Sequence, residues 1–383
     1  MSNLTTDQSA ALSTLSTLRG QLHGAFVGRD QEVDSLLLAL VGRTHLLLLG
    51  PPGTAKSLIT QVFAASLGGR YFQRLLTPVS TPEEVMGPYD LGALDSGRYE
   101  RAVDGYLPTA QVAFLDEVFK ANSAILNSLL TLLNERQFDQ GNQRISCPLE
   151  VCVGASNEYP ADATLDALYD RFLLRRWVEY VPTRADRMAL LNAPDPATQV
   201  TTRLSLEEVS TLQSLVSQVK VSQEVQEALL DVCESLTRDH GLVVSDRRLR
   251  SCIRLVQAHS LLRGRMEATT RDLMVLADSV WQRHDQRPAV VSTILEITAP
   301  ALLEAQKIAD SAREVYESIG DFRSCPDLAK HLATVQSMEG VLAEKDPGND
   351  PDYTALLAEV KGIRKSIARG FAQVSGLLRG LAG

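Results

Sequence analysis

The strongest constraint in this chain is a short apolar run, His45-Leu46-Leu47-Leu48-Leu49, that stops at Gly50-Pro51-Pro52-Gly53 and restarts as a helical pattern from about Lys56 to Leu67. A buried strand, a glycine turn and a helix in that order leave consecutive backbone N–H groups at the helix start, where they attract an anion. The turn reads Gly50-Pro51-Pro52-Gly53-Thr54-Ala55-Lys56-Ser57, one residue from the phosphate-loop pattern G-x-x-x-x-G-K-[ST], with Ala55 in place of the second glycine. Lys56 would reach the β- and γ-phosphates and the Ser57 hydroxyl would ligate Mg²⁺. The methyl of Ala55 is expected to deny this position the positive φ open to glycine. A purely structural Gly/Pro turn is the competing reading.

Two further strands carry polar ends. Val112 to Leu115 runs into Asp116-Glu117, and Leu149 to Gly154 runs into Ala155-Ser156-Asn157. Continuous apolar runs suit a parallel sheet covered on both faces, and residues just past their C-terminal ends converge on one ligand crevice. There Asp116 would hold the Mg²⁺ shell, Glu117 would polarise an attacking water, and Asn157 would orient that water or sense the γ-phosphate. The plainer alternatives are an acidic first helical turn for Asp116-Glu117 and a Ser-Asn turn for Asn157. Arg171, in Asp170-Arg171-Phe172, and Arg247, in Ser245-Asp246-Arg247-Arg248, are the two arginines assigned to phosphate work. Arg171 would be donated to a neighbour's γ-phosphate, and Arg247 would report nucleotide to the helical domain. Arg175, Arg176 and Arg248 are expected in local ion pairs.

Two amphipathic helices open the chain, about residues 5 to 22 and 32 to 41, separated by Val27-Gly28-Arg29-Asp30. A Pro- and Gly-punctuated stretch from Thr77-Pro78 to Leu107-Pro108 is too long for a plain connection and is expected to be a structured insertion. Beyond Pro182 the strand signals fade, and residues 203 to 285 read as successive helices. Three more helical patterns, roughly 301 to 318, 326 to 344 and 352 to 380, follow Pro300, with a polar break at Lys345-Asp346-Pro347-Gly348-Asn349-Asp350-Pro351 before the last. The fold class is therefore α/β, and the expected division is an αβα core over 1–185, an all-helical lid over 186–299 and a helical extension over 300–383.

With 38 Lys+Arg against 47 Asp+Glu the net charge is −9, which disfavours a polyanion partner such as nucleic acid. No apolar run approaches the ~20 residues of a membrane span. The first residues lack the charged start and apolar stretch of a secretory signal, so a cytoplasmic location is expected. The five cysteines show no zinc-type spacing and are expected as reduced core thiols.

The order of elements resembles the AAA+ ATPases, and the wording resembles the MoxR family, close to its RavA-like branch. The resemblance covers roughly residues 5 to 290 and is most specific over Gly50 to Ser57, Thr81 to Pro88, Tyr106 to Ala110, Phe114 to Lys120 and Ile125 to Arg136. It implies an αβα nucleotide-binding domain, a small helical lid and a hexameric ring holding ATP at subunit interfaces. Ala55 is similar to the GPPGxAKS form common in that family. Position by position, the resemblance makes Lys56 and Ser57 the Walker A pair, Asp116 and Glu117 the Walker B pair, Asn157 sensor 1, Arg171 the arginine finger and Arg247 the sensor-2 arginine. Val27 and Gly28 would line the adenine pocket, and Gly50 through Leu58 (Gly50, Pro51, Pro52, Gly53, Thr54, Ala55, Lys56, Ser57, Leu58) would cradle the nucleotide. Insertions are implied at about 79–100 and 137–149, facing the pore or a partner. The implied activity is ATP hydrolysis, with Mg²⁺, by a chaperone that remodels a client protein together with a von Willebrand factor A domain protein. A metal-chelatase-like motor subunit and a nucleotide-dependent scaffold or switch are the alternatives.

Overall fold

A computed structural model describes residues 4–160, 162–320, 322, 324–345, 348 and 350–381. Asp346, Pro347 and Asn349 of the expected polar break lie outside the described residues. The chain forms two compact units, one ending at Val290 and one starting at Val291.

In the first unit, α1 (Thr6–Ala25) and α2 (Asp30–Gly42) lead into β1 (Leu46–Leu49), followed by α3 (Lys56–Ser66) and β2 (Tyr71–Leu75). The insertion contributes α4 (Pro82–Met86) and α5 (Leu91–Asp95) before β3 (Val112–Asp116) and α6 (Ser123–Glu135). A hairpin, β4 (Gln137–Gln140) with β5 (Gln143–Ser146), precedes β6 (Val151–Ser156), α7 (Asp166–Arg171) and β7 (Leu174–Trp177). The five long-range strands make one parallel sheet in the order β2-β3-β6-β1-β7. All four leucines of β1 are fully buried, as are Ala113, Leu115, Val151, Cys152 and Val153 of its sheet neighbours, so the apolar runs form the central layer.

Two of these strands escape the apolar-run criterion. Residues Gln73, Arg74 and Leu75 of the edge strand β2 are exposed. Strand β7 holds two buried arginines, Arg175 and Arg176. Arg176 pairs with Asp278 at 2.7 Å and Arg248 with Asp170 at 2.8 Å. Among the described residues Arg175 makes no ion pair; it donates to the carbonyls of Phe172, Tyr169 and Trp281 and lies over the Tyr169 ring, so its charge is absorbed by peptide dipoles and a π face.

After α8 (Arg184–Asn192) and α9 (Pro196–Gln199) the chain is helical: α10 (Leu206–Val216), α11 (Gln223–His240), α12 (Asp246–Leu262), a 3₁₀ stretch at Thr270–Asp278 and α13 (Arg287–Thr298). α10 packs on α1 and α2, and α12 packs on α2. The spacing of apolar residues explains α11, whose Val225, Ala228, Leu229, Val232 and Leu236 fall on one buried stripe. Ser222 caps its start, and Gly241 ends it in the left-handed conformation.

The second unit continues with α14 (Pro300–Ile319), α15 (Leu328–Glu344) and α16 (Pro351–Leu381), which pack on one another around Leu303, Ala309, Val335, Leu342, Tyr353 and Val360. Cys147, Cys152, Cys233 and Cys252 are buried free thiols, whereas Cys325 is only half-buried. Among the described residues no helix is long and apolar enough to cross a membrane.

Candidate functional site

The phosphate-loop sequence runs from the C-terminal end of β1 into α3. Gly50 adopts φ 137°, and a Cβ there would meet the Val178 carbonyl oxygen at 2.2 Å, so the sheet edge admits only glycine. Ala55 sits at φ 65° and ψ 20°, in the left-handed region. The expectation that its methyl forbids positive φ is therefore overturned: the loop imposes the conformation and the alanine bears a local cost of ~1 kcal/mol. Lys56 is buried, and its ammonium donates to the carbonyls of Gly50 and Pro51, each at 2.8 Å, with the Thr54 hydroxyl at 3.3 Å. Thr54 in turn donates to the Pro51 carbonyl, and the Tyr180 hydroxyl donates to that of Pro52. Ser57 is half-buried and Leu58 exposed on the following turn.

At the end of β3, Asp116 Oδ1 accepts the Glu117 amide at 3.1 Å while Glu117 is held at φ 51°. Glu117 Oε1 accepts from Asn157 Nδ2 at 2.8 Å, which joins the ends of β3 and β6. Its Oε2 is buried without a hydrogen bond, although the Lys120 ammonium stands 3.3 Å away as an ion pair lacking hydrogen-bond geometry. Ser156 makes the turn with Glu158, leaving Asn157 free for Glu117. Burial, with the Glu117 charge adding to it, raises the Asp116 carboxyl above its ordinary value. Burial pulls the Lys56 ammonium down, with Arg29 adding to that and the charges of Asp116 and Glu117 opposing it. Lysine, acids and amide thus share one neighbourhood at the C-terminal ends of the strands.

The donor set fits a magnesium–nucleotide complex. A buried carboxylate oxygen without a hydrogen bond, next to a second carboxyl whose ionisation is disfavoured, is the environment a cation neutralises. A magnesium ion can be held by one carboxylate, a hydroxyl and substrate phosphates, the donor types that Asp116 and Ser57 supply. Val27 is half-buried and Gly28, at φ 66°, faces Val181. Arg29 beside them is buried, and its charge is felt by both Lys56 and Glu32.

Arg171 and Arg247 are elsewhere. Both line a cleft of about 170 Å³ with Arg43, Arg136, Arg248 and Asp170, and no phosphate-loop residue lines it. The cleft borders Thr44 and His45, before β1, whereas the phosphate loop follows β1; four strand residues span ~13 Å. α12 carries Arg247 there because it packs along α2, whose C-terminal end precedes Thr44. Arg171 Nε is buried without a hydrogen bond, and burial, reinforced by the nearby Arg247, lowers its pKa. The structure brings Lys56, Asp116, Glu117 and Asn157 together and sets Arg171 and Arg247 apart from them. Two neighbours of this group lie outside the motifs: Lys120, readable as an i+3 partner of Glu117, and Tyr180, which carries no local signal.

A second junction lies just past Asn157. Tyr159 and His284 exchange polar contacts, the Tyr159 hydroxyl lying 2.8 Å from both His284 Nδ1 and its amide. The His284 ring stacks on Trp177 at 4.1 Å between centroids, tying the strand ends to the segment before α13.

Comparison with known proteins agrees with this layout. Residues 13–215 match the family described as the MoxR domain in the MoxR-vWA-beta-propeller ternary systems, and residues 224–294 match an AAA lid domain. An uncharacterized protein of Methanocaldococcus jannaschii is 32% identical over 96% of this chain and 100% of its own length. Chaperone MoxR1 of Mycobacterium tuberculosis is 24% identical over 71% of this chain and 75% of its own. Among solved structures, a candidate ATPase from Cytophaga hutchinsonii superposes with a TM-score of 0.63 at 17% identity, over 76% of this chain and 96% of that one, and shares the fold. With a parallel αβα core, a helical lid and a family match over more than half of its length, the chain belongs to the MoxR family of AAA+ proteins.

Proposed function

We propose that this chain is an ATP-hydrolysing AAA+ chaperone that works as a ring, six copies holding ATP at their seams, to remodel or assemble a partner protein. The observation that carries the reading is the meeting of Glu117 with Asn157 beside Lys56, three strand ends delivering an acid, an amide and a cation to one crevice. Lys56 leaves its loop carbonyls for the β- and γ-phosphates, and the amides of Gly50 to Leu58 cradle them. Val27 and Gly28 border the base. Ser57 and Asp116 would hold Mg²⁺, which when bound supplies positive charge to the phosphates. Glu117 takes a proton from water as the water oxygen bonds to the γ-phosphorus and the bridging oxygen leaves with ADP. Asn157 fixes the carboxylate that does this. Arg171 and Arg247, on the far side of β1 from the same subunit's loop, serve the nucleotide of the adjacent copy.

The description of the matching family, which sets a MoxR domain beside a vWA domain and a β-propeller, supports a von Willebrand factor A domain protein as partner. In this reading the core over 1–185 hydrolyses, the lid over 186–299 positions Arg247, and the extension over 300–383 serves assembly or partner contact. The insertions near 79–100 and 137–149 face the client; exposed Val79, Leu91 and Tyr99 suit that task. A RavA-like placement and a cytoplasmic site belong to the same reading.

The test is ATP turnover by purified protein with magnesium, together with its sedimentation. Wild type hydrolyses and assembles; Glu117→Gln binds ATP and assembles but does not turn over. A chain that stays monomeric and inert with saturating nucleotide would overturn the proposal. A scaffold role would instead be favoured if Glu117→Gln rings retained full biological activity.

A further inference from the structure

We infer that Arg43 is a third phosphate-binding arginine, presented with Arg171 and Arg247 to the terminal phosphates of a nucleotide held by a second copy of this chain. The inference rests on the seam reading above and adds a residue that the motifs do not mark.

Arg43 ends α2 at φ 54° and ψ 48°, with its amide donating to the carbonyls of Ala39 and Leu40. This left-handed position at a helix end suits glycine, and a side chain there is strained. The conformation is held from outside as well, because Arg136 donates to the Arg43 carbonyl at 2.9 Å and to that of Leu149 at 2.8 Å. A strained backbone that carries a long cation where glycine would rest easily points to a use for the cation.

The surroundings say which use. The cleft that Arg43 shares with Arg171 and Arg247 is lined by five arginines and one carboxylate, in a chain whose net charge is −9. That carboxylate, Asp170, is engaged by Arg248 at 2.8 Å, and Glu150 behind Arg136 is engaged by Gln213 at 2.7 Å. Among the described residues the guanidinium groups of Arg43, Arg171 and Arg247 have no hydrogen-bond or ion partner, and Arg171 Nε is shut away from solvent. The charge of Arg43 bears on its neighbours: burial, with Arg43 and Arg254 adding to it, pushes Arg136 down to about 10, and burial with Arg43 adding to it lowers Arg254. Arg171 is half-buried while Arg43 and Arg247 are exposed, so cations that outnumber their one acid stand open to an anion from outside the subunit. A planar fork matches phosphate oxygens bidentately, and three forks suit the concentrated charge of a triphosphate terminus. Arg43 cannot serve its own loop, since β1 intervenes with a length of ~13 Å.

Arg43→Gly separates the roles, because glycine relieves the backbone while removing the guanidinium. The variant should keep its melting temperature or gain on it, keep affinity for a fluorescent ATP analogue in its own phosphate loop, and lose about 10–100-fold in kcat. Turnover within twofold of wild type would overturn the inference. Mixing supplies the second arm: Arg43→Gly subunits have an intact loop, and Lys56→Ala subunits have an intact Arg43. Turnover of the mixture well above the sum of the two impaired preparations places Arg43 across the seam; turnover no greater than that sum, with wild type active, overturns that placement. Wild type that neither hydrolyses nor assembles fails at the seam reading itself, a result distinct from an active wild type beside an active Arg43→Gly.

Discussion

Asn157 Nδ2 lies 2.8 Å from Glu117 Oε1, so the side chain that ends β6 holds the carboxylate that ends β3. Among the described residues the other Glu117 oxygen has an ion-pair neighbour, Lys120, and no hydrogen bond. Asn157→Ala should therefore lower kcat by about 10–100-fold, the usual loss for a hydrogen bond to a charged group, with little change in nucleotide affinity. Asn157→Asp should do worse, because it sets like charges together. Single-turnover kinetics beside equilibrium nucleotide binding checks both, and a change confined to affinity would detach Asn157 from the chemical step.

Arg171→Ala and Lys56→Ala should part company in the same assays. Loss of a finger arginine costs about 10³–10⁵ in rate while sparing binding, whereas loss of Lys56 removes the cation at the phosphates and weakens binding itself. Assembled rings of Arg171→Ala that keep wild-type turnover would take Arg171 out of the site.

Asp116→Asn should stabilise the nucleotide-free protein at neutral pH. The folded carboxyl titrates above its ordinary value, so its contribution to stability is fully present below the unfolded pKa and is lost as pH rises through the folded one. At pH 7 the charged form is a net cost, and asparagine can still accept the Glu117 amide. Thermal melts at pH 7 test this; a lowered midpoint would contradict it.

His45 gives the opposite sign. Its Nδ1 accepts the Cys152 amide at 3.1 Å, so Nε2 carries the proton and donates to the Leu133 carbonyl at 2.8 Å. Both bonds suit the neutral ring, and complete burial holds its pKa down at about 3. Its contribution is intact above the ordinary value of 6.5 and is lost as pH falls toward 3. His45→Gln should flatten that acid limb of the stability profile, as denaturant titrations between pH 7 and pH 4 would register.

Ala55→Gly should raise the melting temperature, since it removes a Cβ from a left-handed position, by an amount set by ~1 kcal/mol less the extra freedom of glycine in the unfolded chain. Differential scanning calorimetry measures it, and a drop would mean that the methyl makes a contact worth more than its strain.

Much of this arrangement was legible in the residues. β1, β3 and β6 announce themselves because a strand covered on both faces must be apolar throughout, and the acids and amide that follow them can then converge on one crevice. β2 is an edge strand with water on part of its surface, and β7 hides Arg175 and Arg176 by satisfying them with carbonyls, an acid and a ring, none of which is visible locally. Ala55 misled for a related reason: propensity favours one conformation, and the loop holds another. The partnership of Arg171 with Arg247 depends on how α12 lies along α2, a relation between residues 76 positions apart that no motif encodes.

The ring stack that seats His284 on Trp177 leaves the chain with a built-in gauge. Of its two tryptophans, Trp281 is sealed in the core, whereas Trp177 touches an imidazole borne by the segment that leads into α13. Any sliding of that segment against the sheet changes the indole's immediate neighbour, and with it the emission, so the unlabelled protein carries its own optical reporter of such a displacement.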